Sequence, residues 1–235
     1  MDVQPYYQCL VDAFAKCGSR SGFKVVAERI VLNPMQSAGE DCWELSFKNG
    51  TLVLKGDVSS GGINGLARML GFATGEFKIF IHPREVIKQG EPWNIKASVV
   101  ELAYVAQDSS KSKSDLLLGM HYDFSARESG DPEFAHPLFH AQFTSKLYRL
   151  QGALGASIGL DRMKNLPSVR LPTAHMSLPS VLLLVAADNF TPSQFTAFLR
   201  EVRKSPVYPC ARNQLFATRM TQHNVGMRSC AWYGN

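Results

Sequence analysis

Residues 43–55 read WELSFKNGTLVLK. Trp43, Leu45 and Phe47 alternate with Glu44, Ser46 and Lys48, and beyond Asn49-Gly50 the apolar Leu52 and Leu54 alternate with Val53 and Lys55. A period of two is the signature of a strand with one buried face. Asn-Gly is the dipeptide best suited to a two-residue hairpin turn. Folded that way, the stretch sets Phe47 against Leu52, Leu45 against Leu54 and Glu44 against Lys55. Apolar side chains meet on one side, and a carboxylate meets an ammonium on the other. An antiparallel sheet is the expected foundation of the fold.

The same period extends downstream. It predicts strands over 77–82, 93–106, 115–124 and 138–148, with the polar stretch QDSSKSKS at 107–114 as an exposed loop and His82 before Pro83 as a strand end and turn cap. Upstream, Tyr7, Leu10, Val11 and Phe14 fall at helical spacing, and Gly18 is the expected stop. After residue 150 the pattern turns helical. Ser177-Leu178-Pro179 opens an apolar helix reaching about Asp188. Thr191-Pro192-Ser193-Gln194 forms a capping box with proline first in the helix. Phe195, Phe198, Leu199 and Val202 make that second helix's buried stripe, with Arg203 and Lys204 at its C-terminal end. The sum is an α+β fold: a mainly antiparallel sheet of about six to seven strands over 23–148 with an N-terminal helix, then a C-terminal helical portion. Residues 1–150 form the sheet portion and 151–235 a basic helical portion packed on it as one compact domain.

Composition excludes several classes. The chain has 235 residues, 45% of them hydrophobic and 19% charged, enough to build a sizeable core. Its longest apolar run, Val181 to Ala187, is far shorter than a bilayer span, and the N-terminus has no charged-then-apolar leader pattern. The five cysteines (Cys9, Cys17, Cys42, Cys210, Cys230) contain no Cys-x-x-Cys pair, which argues against both a disulfide framework and a cysteine zinc site. The expected location is cytoplasmic, with reduced thiols and no membrane partner. Glycines crowd 59–76 and recur at Gly152, Gly155 and Gly159, but neither group ends in Gly-Lys-Ser/Thr nor forms Gly-x-Gly-x-x-Gly. They read as turns. A lid over a small-molecule site at 59–76 is a third, minor reading.

Charge is uneven. Residues 1–150 carry a net −1, whereas 151–235 hold 9 basic and 3 acidic residues, and seven of the nine are arginine. Arginine matches phosphate bidentately, so Arg170, Arg200, Arg203 and Lys204 are candidate nucleic-acid contacts, with Arg162 and Lys164 beside them. The bland alternative is a solvated helical surface.

The stretch MHYDFSARESGDPEFAHPLFHAQF (120–143) supplies candidate chemistry. If 115–124 and 138–148 are hairpin neighbours, Leu116, Leu118, Met120, Tyr122 and Phe124 must bury with Phe139, Ala141, Phe143 and Leu147, since a one-residue slip would expose every core residue of one strand. His121, Asp123, His140 and Gln142 then share the other face, joined by His136 if the strand reaches back past Pro137. Three readings follow. The groups could be an ordinary hairpin face, a paired His and Asp for acid–base work near neutral pH, or ligands (His121, Asp123, His140) for one divalent metal ion. His175, before the apolar helix, reads as an entry polar group or a supporting partner. Ser177 and Ser180 lack a nucleophile elbow, Cys210 and Cys230 read equally as core thiols or nucleophiles, and His223 has no evident role. The leading expectation is a nucleic-acid-associated protein with a His/Asp phosphodiester hydrolase (nuclease) centre. His121 or His140 would act as base or acid, Asp123 would orient the imidazole, and an arginine such as Arg170 would meet the phosphate. The alternative is a non-catalytic subunit docking onto a nucleoprotein or protein complex.

Overall fold

A computed structural model describes residues 3–37, 39–57, 75–88, 94–108, 114–125, 139–144, 146–154, 158–159, 170–172 and 177–204. Helix α1 (Gln4–Arg20) buries Tyr7, Leu10, Val11 and Phe14. It does not stop at Gly18. Gly22, at φ 96°, is the left-handed residue that ends it, with the Phe23 N–H bonding back to the Gly18 carbonyl at 3.0 Å. Gly18 stays inside the helix, and Val25 and Phe190 crowd the place where a side chain would stand.

The sheet follows: β1 (Lys24–Val25), β2 (Ile30–Ser37), β3 (Glu40–Phe47), β4 (Leu52–Asp57), β5 (Gly75–Lys88), β6 (Asn94–Asp108), β7 (Ser114–Ser125), β8 (Phe139–Phe143), β9 (Ile158–Gly159) and β10 (Arg170–Pro172). The order is β1-β4-β5-β6-β7-β8-β10, with β2 and β3 paired beside β5 and β9 parallel to β7. All other pairings are antiparallel. The fold is therefore α+β with a mainly antiparallel sheet, and the C-terminal third adds two short strands as well as helices.

The expected Asn49-Gly50 hairpin is not formed. Strand β3 pairs with β5 through Leu45↔Glu85, β4 pairs with β5 through Leu52↔Ile81, and both ladders are antiparallel. The chain consequently leaves Asn49-Gly50 in the direction it entered. Gly50 (φ 80°) and its 2.9 Å bond to the Phe47 carbonyl make a turn that bulges one long strand instead of reversing it. The reversal lies earlier, at Gly39 (φ 74°), where Ser37 faces Glu40. Pro83 explains itself by the same geometry. Strand β5 runs straight through it, and on the β3/β4 side Pro83 falls between the last β4 partner and the first β3 partner, a gap where a missing N–H breaks no ladder.

One face of the sheet is covered by α1, by α3 (Leu178–Asn189) and by α4 (Pro192–Lys204), and their apolar residues merge with Phe77, Ile79, Ile81, Leu102 and Tyr104 into the main core. In α4, Phe198 and Val202 are buried and Phe195 and Leu199 half-buried, as the stripe requires. The capping box is replaced. The Thr191 N–H bonds to Ser21 Oγ at 3.2 Å, and Gln194 Oε1 is buried with no described partner. On the other, outer face, Phe80, Ala103, Val105 and Leu116 form a smaller core under Leu147 and Leu150. That second cover is the segment 146–154, which includes the short helix α2 (Gln151–Leu154) and is tied to the sheet where the Thr144 N–H bonds to the Gly119 carbonyl at 2.9 Å. Among the described residues no helix is long and apolar enough to cross a membrane.

Candidate active site

Strand register carries one polar row across the outer face: His82 opposite Glu101, Glu101 opposite His121, His121 opposite Gln142, and Gln142 opposite Arg170. The next row runs Arg84, Val99, Asp123 and His140. Strands β7 and β8 are antiparallel neighbours with Met120↔Phe143, Tyr122↔Ala141 and Phe124↔Phe139, the in-phase arrangement that matching their apolar faces demands. The backbones of His121, Asp123 and His140 are thus brought together. The side chains of His140 and Arg170, and all of His136, Arg162, Lys164, His175, Cys210, His223 and Cys230, lie outside the described residues, as do glycines 61–71.

Within the row, His121 stands between two carboxylates. Its Nε2 is 3.4 Å from Asp123 Oδ2 and its Nδ1 is 4.0 Å from Glu101 Oε1. Glu101 is buried, yet both its polar obligations and its position are accounted for. Its Oε2 accepts the backbone N–H groups of Arg149 and Leu150, each at 3.0 Å. A strand carboxylate thereby holds the two amides that directly precede α2. Burial raises the Glu101 carboxyl above its ordinary value, against the pull of those two amides.

This pair of bonds also fixes where Arg149 goes. Its half-buried side chain has Nη1 out of solvent, with no acceptor among the described residues. Burial lowers its pKa first and the nearby Arg84 guanidinium second, while Glu101, Glu44 and Asp123 oppose them, so two guanidiniums and three carboxylates share this region. Arg84 itself is ion-paired to Glu44. His82, 3.5 Å from Thr51 Oγ1, is held below its ordinary pKa by burial and then by Arg149. Next to Arg149 in sequence, Tyr148 is 69% exposed and Lys146 is exposed, whereas Leu147 is buried. Among the described residues no three His, Cys, Asp or Glu side chains converge as metal ligands.

Glu101, Arg84 and Arg149 are the participants that periodicity alone misses. The available signal was Glu101 as a lone carboxylate in the apolar run Val99-Val100-Glu101-Leu102-Ala103. The basic residues of α4 are elsewhere. Arg200, Arg203 and Lys204 are exposed on a helix that packs on the opposite side of the sheet, and Lys204 is 3.2 Å from Glu201. Comparison with protein-family models, curated proteins and solved structures finds no match to this chain.

Proposed function

We propose that the outer-face cluster is a phosphodiester-hydrolysing site acting on single-stranded nucleic acid. The observation that carries this is Arg149, whose buried Nη1 has no acceptor among the described residues and lies near a second guanidinium and the His121–Asp123 pair. A buried donor left unpaired costs about 1–3 kcal/mol, and an anionic phosphoryl oxygen supplies the missing acceptor. His121 takes the proton of the attacking water as the P–O bond breaks, and returns it to the leaving oxygen. Asp123 steadies the imidazole and favours its charged form in transit. The guanidiniums of Arg149 and Arg84 stabilise the charge that develops on the phosphoryl oxygens. Tyr148, exposed between Lys146 and Arg149, offers a stacking surface that tolerates any base.

The test is cleavage of a labelled single-stranded oligonucleotide by the full chain. Activity is expected in the native protein, reduced by about 10²–10⁴ in His121→Ala with melting unchanged. Arg149→Met should raise KM and lower kcat together. An inactive native protein overturns the hydrolase reading, and oligonucleotide retention without cleavage would favour a docking or binding role.

A further inference from the structure

On the opposite, helix-covered face lies a cavity of about 410 Å³, within the roughly 300–1,000 Å³ typical of small-ligand sites. Its sheet wall is Phe77, Tyr104, Met120 and Tyr122, and its helix wall is Leu184 of α3. Two polar groups from the last turn of α3 close it: Asn189, hydrogen-bonded to Tyr104, and Asp188 at the exposed rim.

Asp188 stands where a helix least favours it. The C-terminal end of α3 is the negative end of its dipole, and a carboxylate there is repelled by the same carbonyls that would welcome a cation. No basic side chain among the described residues offsets it, and partial burial alone raises its pKa. Burial, Tyr104 and Asp188, in that order, push the Tyr122 hydroxyl up as well. The pocket thus combines an apolar floor edged by two tyrosines with a carboxylate at its mouth that no basic side chain among the described residues offsets.

We propose that this cavity binds a small aromatic amine, its ring against Met120 and Leu184 beside Tyr104 and Tyr122, and its ammonium group on Asp188. The site is on the other face of the sheet from the His121 cluster, so it stands or falls independently of the hydrolase reading.

Three indole probes of different charge test it by calorimetry on the full chain: tryptamine, neutral 3-ethylindole and anionic indole-3-propionate. Tryptamine should bind about tenfold tighter than 3-ethylindole, the factor one modest charge-assisted hydrogen bond provides, and the acid should bind weakest. Asp188→Asn should bring tryptamine down to the level of 3-ethylindole without altering the latter. Leu184→Trp, which fills the cavity, should abolish all three while the protein still melts cooperatively. Failure of every probe to bind overturns the proposal. So does equal binding of amine and acid, or an amine preference that survives Asp188→Asn.

Discussion

The hydroxyl of Tyr7 in α1 donates to Glu85 Oε2 in the centre of β5 at 2.5 Å, and both residues are buried. The other oxygen of Glu85 accepts the Leu178 N–H at 2.5 Å and the Ser98 hydroxyl at 3.3 Å. One carboxylate therefore joins α1 to the sheet and caps α3, whose N-cap Ser177 makes no side-chain cap of its own. Truncation by Glu85→Ala leaves the tyrosine hydroxyl and the helix amide buried without partners, and should cost about 2–5 kcal/mol in urea unfolding.

The pH dependence of stability follows from the same residue. Burial raises the Glu85 carboxyl, with the bonds from Tyr7, Leu178 and Ser98 opposing. The folded chain then holds this proton more tightly than the unfolded chain does. Its contribution is full below the ordinary carboxylate pKa and is lost as pH rises through the elevated folded value. Glu85→Gln keeps the shape without the charge, so its stability relative to the native protein should grow as pH rises above the ordinary carboxylate range. A difference that stays constant with pH would mean that the Glu85 carboxyl is not raised in the folded chain.

Gly119 faces the covering segment so closely that a Cβ would run into the Thr144 carbonyl, with Leu147 Cδ1 at 3.1 Å. Backbone cannot yield as a side-chain tip can. Gly119→Ala should destabilise by about 1–3 kcal/mol and, by lifting 146–154, disturb Arg149 as well. Loss of oligonucleotide binding alongside unchanged helix content would locate the damage on the outer face.

Two helical glycines should respond with opposite signs. Alanine in a helix interior is favoured over glycine by about 1 kcal/mol. At Gly152 nothing lies within 4 Å of the new methyl group, so Gly152→Ala should stabilise. At Gly18 the methyl would meet Val25 Cγ2 at 3.0 Å and Phe190 Cζ at 3.1 Å, so Gly18→Ala should destabilise despite the propensity gain. Thermal melts of the pair decide it.

The β7/β8 register was legible over Met120–Phe124 because a buried face leaves one phase there. Met120 cannot meet Phe143 and Tyr122 meet Ala141 in any slipped arrangement. Leu116 and Leu147, expected on that same face, lie in the outer core instead, the first beyond the register shift at Tyr104/Val105 and the second past the end of β8. Asn49-Gly50 and His82-Pro83 misled for a shared reason. Both are local stop signals, and both sit where β5 is long enough to pair first with β4 and then with β3. Nothing in the 13 residues at 43–55 records that distant partner. Glu101 and Arg149 were hidden by separation: the carboxylate and the amides it holds are 48 and 49 positions apart. Histidine spacing marked the face that carries His121 and Asp123 but not the guanidinium near them.

The placement of α4 makes a salt experiment decisive. If single-stranded nucleic acid lies on the outer face, its phosphates meet Arg84, Lys146 and Arg149, while Arg200, Arg203 and Lys204 remain on the far side of the sheet. Three phosphate contacts give a slope of about −2 in log K against log salt, about 0.7 per contact for a single strand. Affinity should then fall roughly twentyfold between about 50 mM and about 200 mM salt. Arg149→Met removes one contact and should flatten the slope by about 0.7. The double change Arg203→Ala with Lys204→Ala should leave it unaltered, because those side chains never reach the bound strand. Anisotropy titrations of a labelled oligonucleotide at four salt concentrations read all three slopes. A slope that responds to the α4 pair and ignores Arg149 would move the nucleic-acid surface to the helical face and detach it from His121.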